Sequence, residues 1–405
     1  MTRILFVVEA VSLSQVVRLA ALARALDRAR YEIHFASAHF DDLIFAGTSF
    51  TRHQIFSLPA AVVDRRVARG LRPYGRRTLA RYVREELALI DRVRPDVVVG
   101  DLRLSLTISA PLAGVPHACL INAYWSPHAL RDGFPLPDHP IVKLLGVDLA
   151  AKHFHKALPF VFRHFARPVN QLRRANGLPE IGGLPEILTH GDTTLFADVP
   201  ALVPTGPLPP GQVFIGPIPW SPPVALPPWW GDLDPARPTV YVTMGSSGAV
   251  DRLPVIVDAA VSTGCQVLVA TAGRVELTAA PPHVYVADYL PGHLAARRAS
   301  VVVSNGGATT GYQALAEGRP VLGVPFNLDQ YLASDAIVRA GAGLLLRAGS
   351  VRKADAERAL TRLITEPSFD ERARALQAEL ARWDARARFE DVVGEICYRQ
   401  TTACV

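Results

Sequence analysis

The sequence predicts an α/β protein of two doubly wound domains, each a parallel sheet covered by helices, and three observations carry the prediction. Short apolar runs alternate with helix-period segments over the first hundred residues, the alternation restarts at residue 239, and a proline-dense stretch separates the two series. At 405 residues the chain is long enough for two cores. The expected boundaries are 1–198 for the first domain, 199–238 for a Pro-rich linker, 239–380 for the second domain, and 381–405 for a helix that crosses back to the first.

Residues 3–8 read as a first buried strand, residues 15–28 as a helix and residues 31–36 as a second strand, the rhythm of a parallel sheet. A helix-period stretch at 77–92 leads into Pro-Asp-Val-Val-Val-Gly-Asp at 95–101, whose unbroken apolar core suits a strand buried on both faces, with Asp101 at its carboxyl end. Another strand, 117–122, follows the turn signal Gly114-Val115-Pro116. Residues 125–190 lose the rhythm and carry aromatics and histidines, as helices and loops decorating a sheet do. From 200 to 238 prolines recur so densely that no regular element is expected, since each removes a donor and fixes φ. Strands follow at 239–244, 266–271, 283–286, 300–304 and 320–324, and residues 372–398 carry a charged helical pattern suited to packing.

Composition narrows the class. No stretch approaches the roughly 20 apolar residues needed to span a bilayer, and the opening apolar run is too short for a signal-peptide core, so the expectation is a soluble, cytoplasmic protein. Cysteines 119, 265, 397 and 404 lie far apart, without the paired spacing of a zinc site or disulfide framework. The net charge of +6 arises from Arg-rich stretches, above all 65–94, which read as a solvated helix face rather than a nucleic-acid surface because few aromatics interleave them.

The strongest local signal is Val301-Val302-Val303-Ser304-Asn305-Gly306-Gly307-Ala308-Thr309-Thr310-Gly311, a buried strand running into a glycine turn and then a helix. Adjacent glycines let a backbone approach a phosphate, the helix start favours negative charge, and Thr309 and Thr310 add hydroxyl donors. A glycine turn with a threonine cap also serves simply to join strand to helix. Further on, Asp329 and Gln330 place a carboxylate and an amide just past another strand, a pair that suits adjacent sugar hydroxyls or, for Asp329, a helix cap.

The run from Asn305 to Gln330 resembles the donor-site signature of the large glycosyltransferase superfamily that holds the UDP-glycosyltransferases and the bacterial natural-product (macrolide-type) enzymes. The resemblance extends to residues 95–101 before 113–116, to Gly216-Pro217, to Thr243-Met244-Gly245-Ser246-Ser247 and to Tyr289-Leu290-Pro291. It implies the GT-B fold, two Rossmann-like domains facing a central cleft, with a nucleotide-sugar in the second domain and an acceptor in the first. On matching positions, Gly306, Gly307 and Thr310 would hold the diphosphate, Asp329 and Gln330 the donor sugar, and Gly245, Ser246 and Ser247 a second phosphate-side loop. Backbone groups from Val286 to Leu290 would accept a pyrimidine base. Acceptor-shaping loops are expected at 50–80 and 123–190.

Three departures from that pattern stand out. Asn305 replaces the phosphate histidine and donates a hydrogen bond without charge. Gln313 replaces the ribose-binding glutamate. Gln15 stands where the catalytic histidine belongs and accepts no proton at neutral pH, so Asp101 is the first candidate base, Glu9 the second and His128 the third, each equally a salt-bridge, cap or loop residue. The expected reaction is metal-independent transfer, with inversion, from a UDP- or dTDP-sugar to a small, largely apolar acceptor, without a cofactor beyond the donor and without nucleic acid. Metal independence rests on the lack of an Asp-x-Asp cluster after a strand and on a helix N-terminus able to take the leaving charge, and inversion on the resemblance alone. Two rivals are a lipid-linked sugar transferase meeting the membrane through residues 61–94, and a nucleotide-sugar-binding protein that lost catalysis.

Overall fold

The computed structural model describes residues 1–139, 142, 145–277 and 281–403, and the chain divides into two compact units. Unit 1 comprises Met1–Asp132, Asp148–Ile218 and Trp383–Val405; unit 2 comprises Gly133–Val147 and Pro219–Arg382.

Unit 1 is a seven-stranded sheet in the order β3-β2-β1-β4-β5-β6-β7. Its strands are β1 (Thr2–Val8), β2 (Tyr31–Ser37), β3 (Thr51–Gln54), β4 (Val97–Asp101), β5 (His117–Ile121), β6 (Thr193–Phe196) and β7 (Gln212–Phe214). Unit 2 repeats that order with six strands, β10-β9-β8-β11-β12-β13. These are β8 (Thr239–Thr243), β9 (Gln266–Ala270), β10 (Val284–Ala287), β11 (Val301–Ser304), β12 (Val321–Gly323) and β13 (Gly343–Leu345). All neighbours pair in parallel. Every residue of β4, β8, β9 and β11 is buried, which is why they read as unbroken Val-rich runs. In both sheets the order reverses beside the first strand, so the carboxyl ends of β1 and β4, and of β8 and β11, are where such a sheet takes a ligand.

Two expectations need correction, and a third gains detail. Residues 212–214 form β7 inside the stretch expected to hold no regular element, because this proline-free tripeptide pairs with β6 at the sheet edge, where lost donors are tolerated. Its Phe214 ring lies 5.4 Å from that of Phe196. Residues 372–398 are not one helix; Pro367–Leu380 and Ala385–Ala403 are separate. Much of 125–190 is a single helix, Val147–Ala175, whose interior Pro159 and Pro168 hide its periodicity from a reading in which proline ends helices.

The last helix completes unit 1. Phe389 is fully buried and its ring lies 6.0 Å from that of Phe6 in β1, so truncation to Ala would cost about 3–5 kcal/mol. Trp383, where the chain re-enters unit 1, sits on Gly216, whose φ is +93° and whose hypothetical Cβ would lie 2.9 Å from the Trp383 Cβ. Residues 133–139 are tied into unit 2 by Asp138, which accepts from Tyr331 Oη at 2.9 Å and pairs with Arg347 at 2.8 Å. Cys119 and Cys265 are free thiols, and Cys404 lies outside the described residues.

His117 opens β5 in the core, and burial, with a smaller push from His190, holds its pKa down at about 3. The folded state therefore keeps it neutral where the unfolded chain protonates it, so its contribution is present above about pH 6.5 and lost as pH falls towards 3. His117→Met should erase that loss. Relative to wild type, the variant should gain about 2 kcal/mol in urea-measured stability between pH 7 and pH 5; a difference flat with pH would show that the ring titrates normally.

Candidate active site

In unit 2 the turn after β11 meets the turn after β8. Gly306 has φ +78° and a side chain there would collide with Ser334 Oγ, so only glycine fits. Gly307 caps the helix Ala308–Ala316 with extended geometry, its N–H donating to Asn305 Oδ1 at 3.2 Å. The next three amides, of Ala308, Thr309 and Thr310, have no helical carbonyl to bond and open at the amino end of the helix, on half-buried residues. A helix end of this kind is able to seat an anion. Asn305 is 94% buried under the other turn: a Cβ on Gly245 would lie 3.4 Å from its Nδ2 and one on Gly248 2.7 Å from its Cβ.

Gln330 joins the two turns. Its Oε1 accepts from Phe326 N at 3.1 Å and its Nε2 reaches the Ser247 carbonyl at 3.4 Å, while Asn327, not Asp329, caps its helix. Asp329 is half-buried in the first turn of that helix. Gln313 lies further along the helix Ala308–Ala316, its amide donating to the Trp220 carbonyl and its Oε1 lying over Gly292. Val286 is half-buried in β10, and Leu290 is buried just before that Gly292. Structure thus brings Gly245, Ser247, Asn305, Gly306, Gly307 and Gln330 together, with Ser246 between them on the β8 turn. Arg274 was not legible in the sequence: it donates to the Gly248 carbonyl at 2.8 Å and the Gly245 carbonyl at 3.3 Å, and so braces that turn with a cation.

At the corresponding ends of unit 1, charges are buried in two networks. Asp101 is fully buried, and its two carboxylate oxygens accept from Arg18 Nη2 at 2.9 Å and Nε at 3.0 Å. Arg18 continues to Asn122 Oδ1 at 2.5 Å, and Asn122 donates to Asp198 at 3.0 Å. In the second network Arg103 joins Glu9 at 3.0 Å and Glu86 at 2.6 Å, and Tyr82 Oη donates to Glu9 at 3.0 Å. The Glu9 amide donates to the Asp101 carbonyl at 3.2 Å, so the backbones meet while the side chains part. Burial lifts Glu9 to a pKa of about 7 although Arg103 and Tyr82 pull it down. Gln15 caps its own helix by accepting from Ser12 N at 3.1 Å. His128 is half-buried, its amide on Ser126 Oγ at 3.1 Å.

Comparison with known proteins decides the family. Residues 255–396 match the family model described as Erythromycin biosynthesis protein CIII-like, C-terminal domain. A "PGL/p-HBAD biosynthesis glycosyltransferase" of Mycobacterium tuberculosis (strain ATCC 25177 / H37Ra) is 44% identical over 375 residues, 92% of this chain and 87% of that protein. The chain belongs to this family of glycosyltransferases. A "PGL/p-HBAD biosynthesis rhamnosyltransferase" of Mycobacterium bovis (strain BCG / Pasteur 1173P2) is also 44% identical over 375 residues, covering 92% of this chain and 83% of that one. An "Inactive PGL/p-HBAD biosynthesis glycosyltransferase" of the same strain is 45% identical over 258 residues, 64% of this chain and 70% of its own. Among solved structures, "Spinosyn Rhamnosyltransferase SpnG complexed with thymidine diphosphate" superposes with a TM-score of 0.68 at 20% identity, covering 96% of this chain and 100% of that one, and is a likeness of GT-B fold.

In this glycosyltransferase the end of β4 is closed by a buried ion pair, Arg18 on Asp101. Arg18 fills a position that no motif singled out, since one arginine among many in a basic chain gives no signal of burial. Its clamp on Asp101 was invisible for the same reason: the two lie 83 residues apart.

Proposed function

We propose that this glycosyltransferase moves a hexose, rhamnose being the first candidate, from a thymidine or uridine diphosphate donor to a hydroxyl of a small, largely apolar acceptor in the cytoplasm. Inversion at the anomeric carbon and independence from metal belong to the same reading. The observation that carries it is the anion seat at Gly307–Thr310: as the acceptor oxygen bonds the anomeric carbon and the bond to the diphosphate breaks, the amides there take up the leaving charge. The rhamnosyltransferase relative and the fold's thymidine diphosphate complex support the choice of donor. Asp329 and Gln330 would face the sugar, Gln313 the ribose, and Val286 and Leu290 the base.

On this reading Glu9 comes before Asp101 as candidate base. Both oxygens of Asp101 are taken by the Arg18 guanidinium, whereas Glu9, with one oxygen on Arg103 and the other on Tyr82, is poised at about 7, near the ideal for proton transfer at neutral pH. Glu9→Gln, which leaves Arg103 paired with Glu86, should lower kcat about a hundredfold or more and remove an ascending limb near pH 7. Asp101→Asn should lower stability by about 3 kcal/mol through the orphaned Arg18; its kcat falling with the pH limb intact supports Glu9, and Glu9→Gln turning over normally would return the role to Asp101.

A second reading, sugar-nucleotide binding without transfer, is favoured by two observations: Gln15 accepts no proton at neutral pH and Asp101 is clamped by Arg18. Incubation with thymidine diphosphate rhamnose, thymidine diphosphate glucose and uridine diphosphate glucose, each with a phenol-bearing apolar acceptor, separates the two. Release of nucleoside diphosphate with a new glycoside upholds transfer. Tight nucleotide binding with all donors left intact overturns it.

A further inference from the structure

The helix Val147–Ala175 buries Leu158, Phe162, Ala166, Val169 and Leu172 and turns its other side outward. At 3.6 residues per turn, Leu149, Lys152, Lys156, Phe160, Arg163 and Arg167 fall within about 80° around the axis, along about 27 Å of helix. All six are exposed, Phe160 to 68%. The helix has one acidic residue, Asp148, and it projects outside this arc. The Arg163 guanidinium stacks 4.9 Å above the Phe160 ring, so charge and apolar surface are interleaved rather than segregated.

A row of cations that contains an exposed Leu and Phe is expensive to leave in water and has a specific complement. We propose that this face docks unit 1 on an anionic phospholipid surface, with the four Lys and Arg side chains on headgroup phosphates and Leu149 and Phe160 entering the layer beneath them. A nucleic-acid backbone would satisfy the cations but not bury Leu149. A peripheral attachment of this kind fits a chain in which, among the described residues, no helix is long and apolar enough to cross a membrane. It also differs from the Arg-rich 61–94 surface, and it stands on this helix alone, so its failure would leave the transfer reading untouched.

The test is co-sedimentation of the full chain with phosphatidylcholine vesicles, with and without phosphatidylglycerol. Binding should require the anionic lipid and weaken with salt. Each cation near an anionic leaflet is worth roughly a fivefold change in partition, so K152E/K156E/R163E/R167E should lower binding at least about a hundredfold, with an unchanged circular dichroism spectrum. A charge-matched variant of the other surface, R65E/R69E/R76E/R84E, should stay within about threefold of wild type. Phe160→Ser, which keeps every charge, should make the residual binding at high salt disappear. Absence of wild-type binding, or equal losses in both charge variants, overturns the proposal. So does duplex DNA binding that the first variant abolishes while vesicle binding persists.

Discussion

Gly307→Val should raise the dissociation constant for a thymidine or uridine diphosphate by at least about a hundredfold, some 2.7 kcal/mol, and leave the protein folded. Gly307 has φ −70° and ψ 142°, values any residue adopts, and the nearest atom to a Cβ there is Asn305 Oδ1 at 3.3 Å. A valine is therefore tolerated by the backbone and costs about 1 kcal/mol or less at a cap, but its methyls project in front of the amides that would hold phosphate. Gly306 would be a poor choice for the same experiment, because its φ of +78° and its contact with Ser334 make folding itself the casualty. Calorimetric titration reads the result, with a thermal melt shifted by no more than a few degrees as the control. An unaltered constant would remove the anion seat from the site.

Arg103→Met should lower stability by about 3–5 kcal/mol at neutral pH, read by urea denaturation. The side chain is fully enclosed, donates to Glu9, Glu86, Ser57 and the Phe56 carbonyl, and lies 3.7 Å above the Tyr82 ring. Without it two buried carboxylates face each other uncompensated. Glu9, already raised by burial, would lose the pull of Arg103 and hold its proton more tightly, so the deficit should shrink as pH falls from 7 towards 5. Adding Glu9→Gln and Glu86→Gln should restore part of the loss by removing the orphaned charges. A deficit below about 1 kcal/mol would mean that water reaches this cluster.

What the sequence revealed and what it hid divide along physical lines. Strands buried on both faces announce themselves as Val-rich runs, so β1, β4, β8, β9 and β11 were legible within a residue or two, and so was the turn Asn305-Gly306-Gly307, because a parallel strand ending in two glycines has few other uses. Contacts set by tertiary structure were not. Arg18 and Arg103 look like any surface arginine in a chain with 43 Lys and Arg, yet each is buried against carboxylates distant in sequence. The helix Val147–Ala175 was obscured by its own prolines, and Asn327 was overlooked as a cap beside the more conspicuous Asp329.

Unit 1 is discontinuous: its Phe389 and Trp383 come after the whole of unit 2 in the chain. During synthesis, the β1 face around Phe6 must wait, uncovered, while some 160 residues of another core are made. Unit 2, apart from the short segment tied down by Asp138, is contiguous and can close first. The expected order of maturation thus runs against the order of translation, with the earlier-made Rossmann layer the later to close.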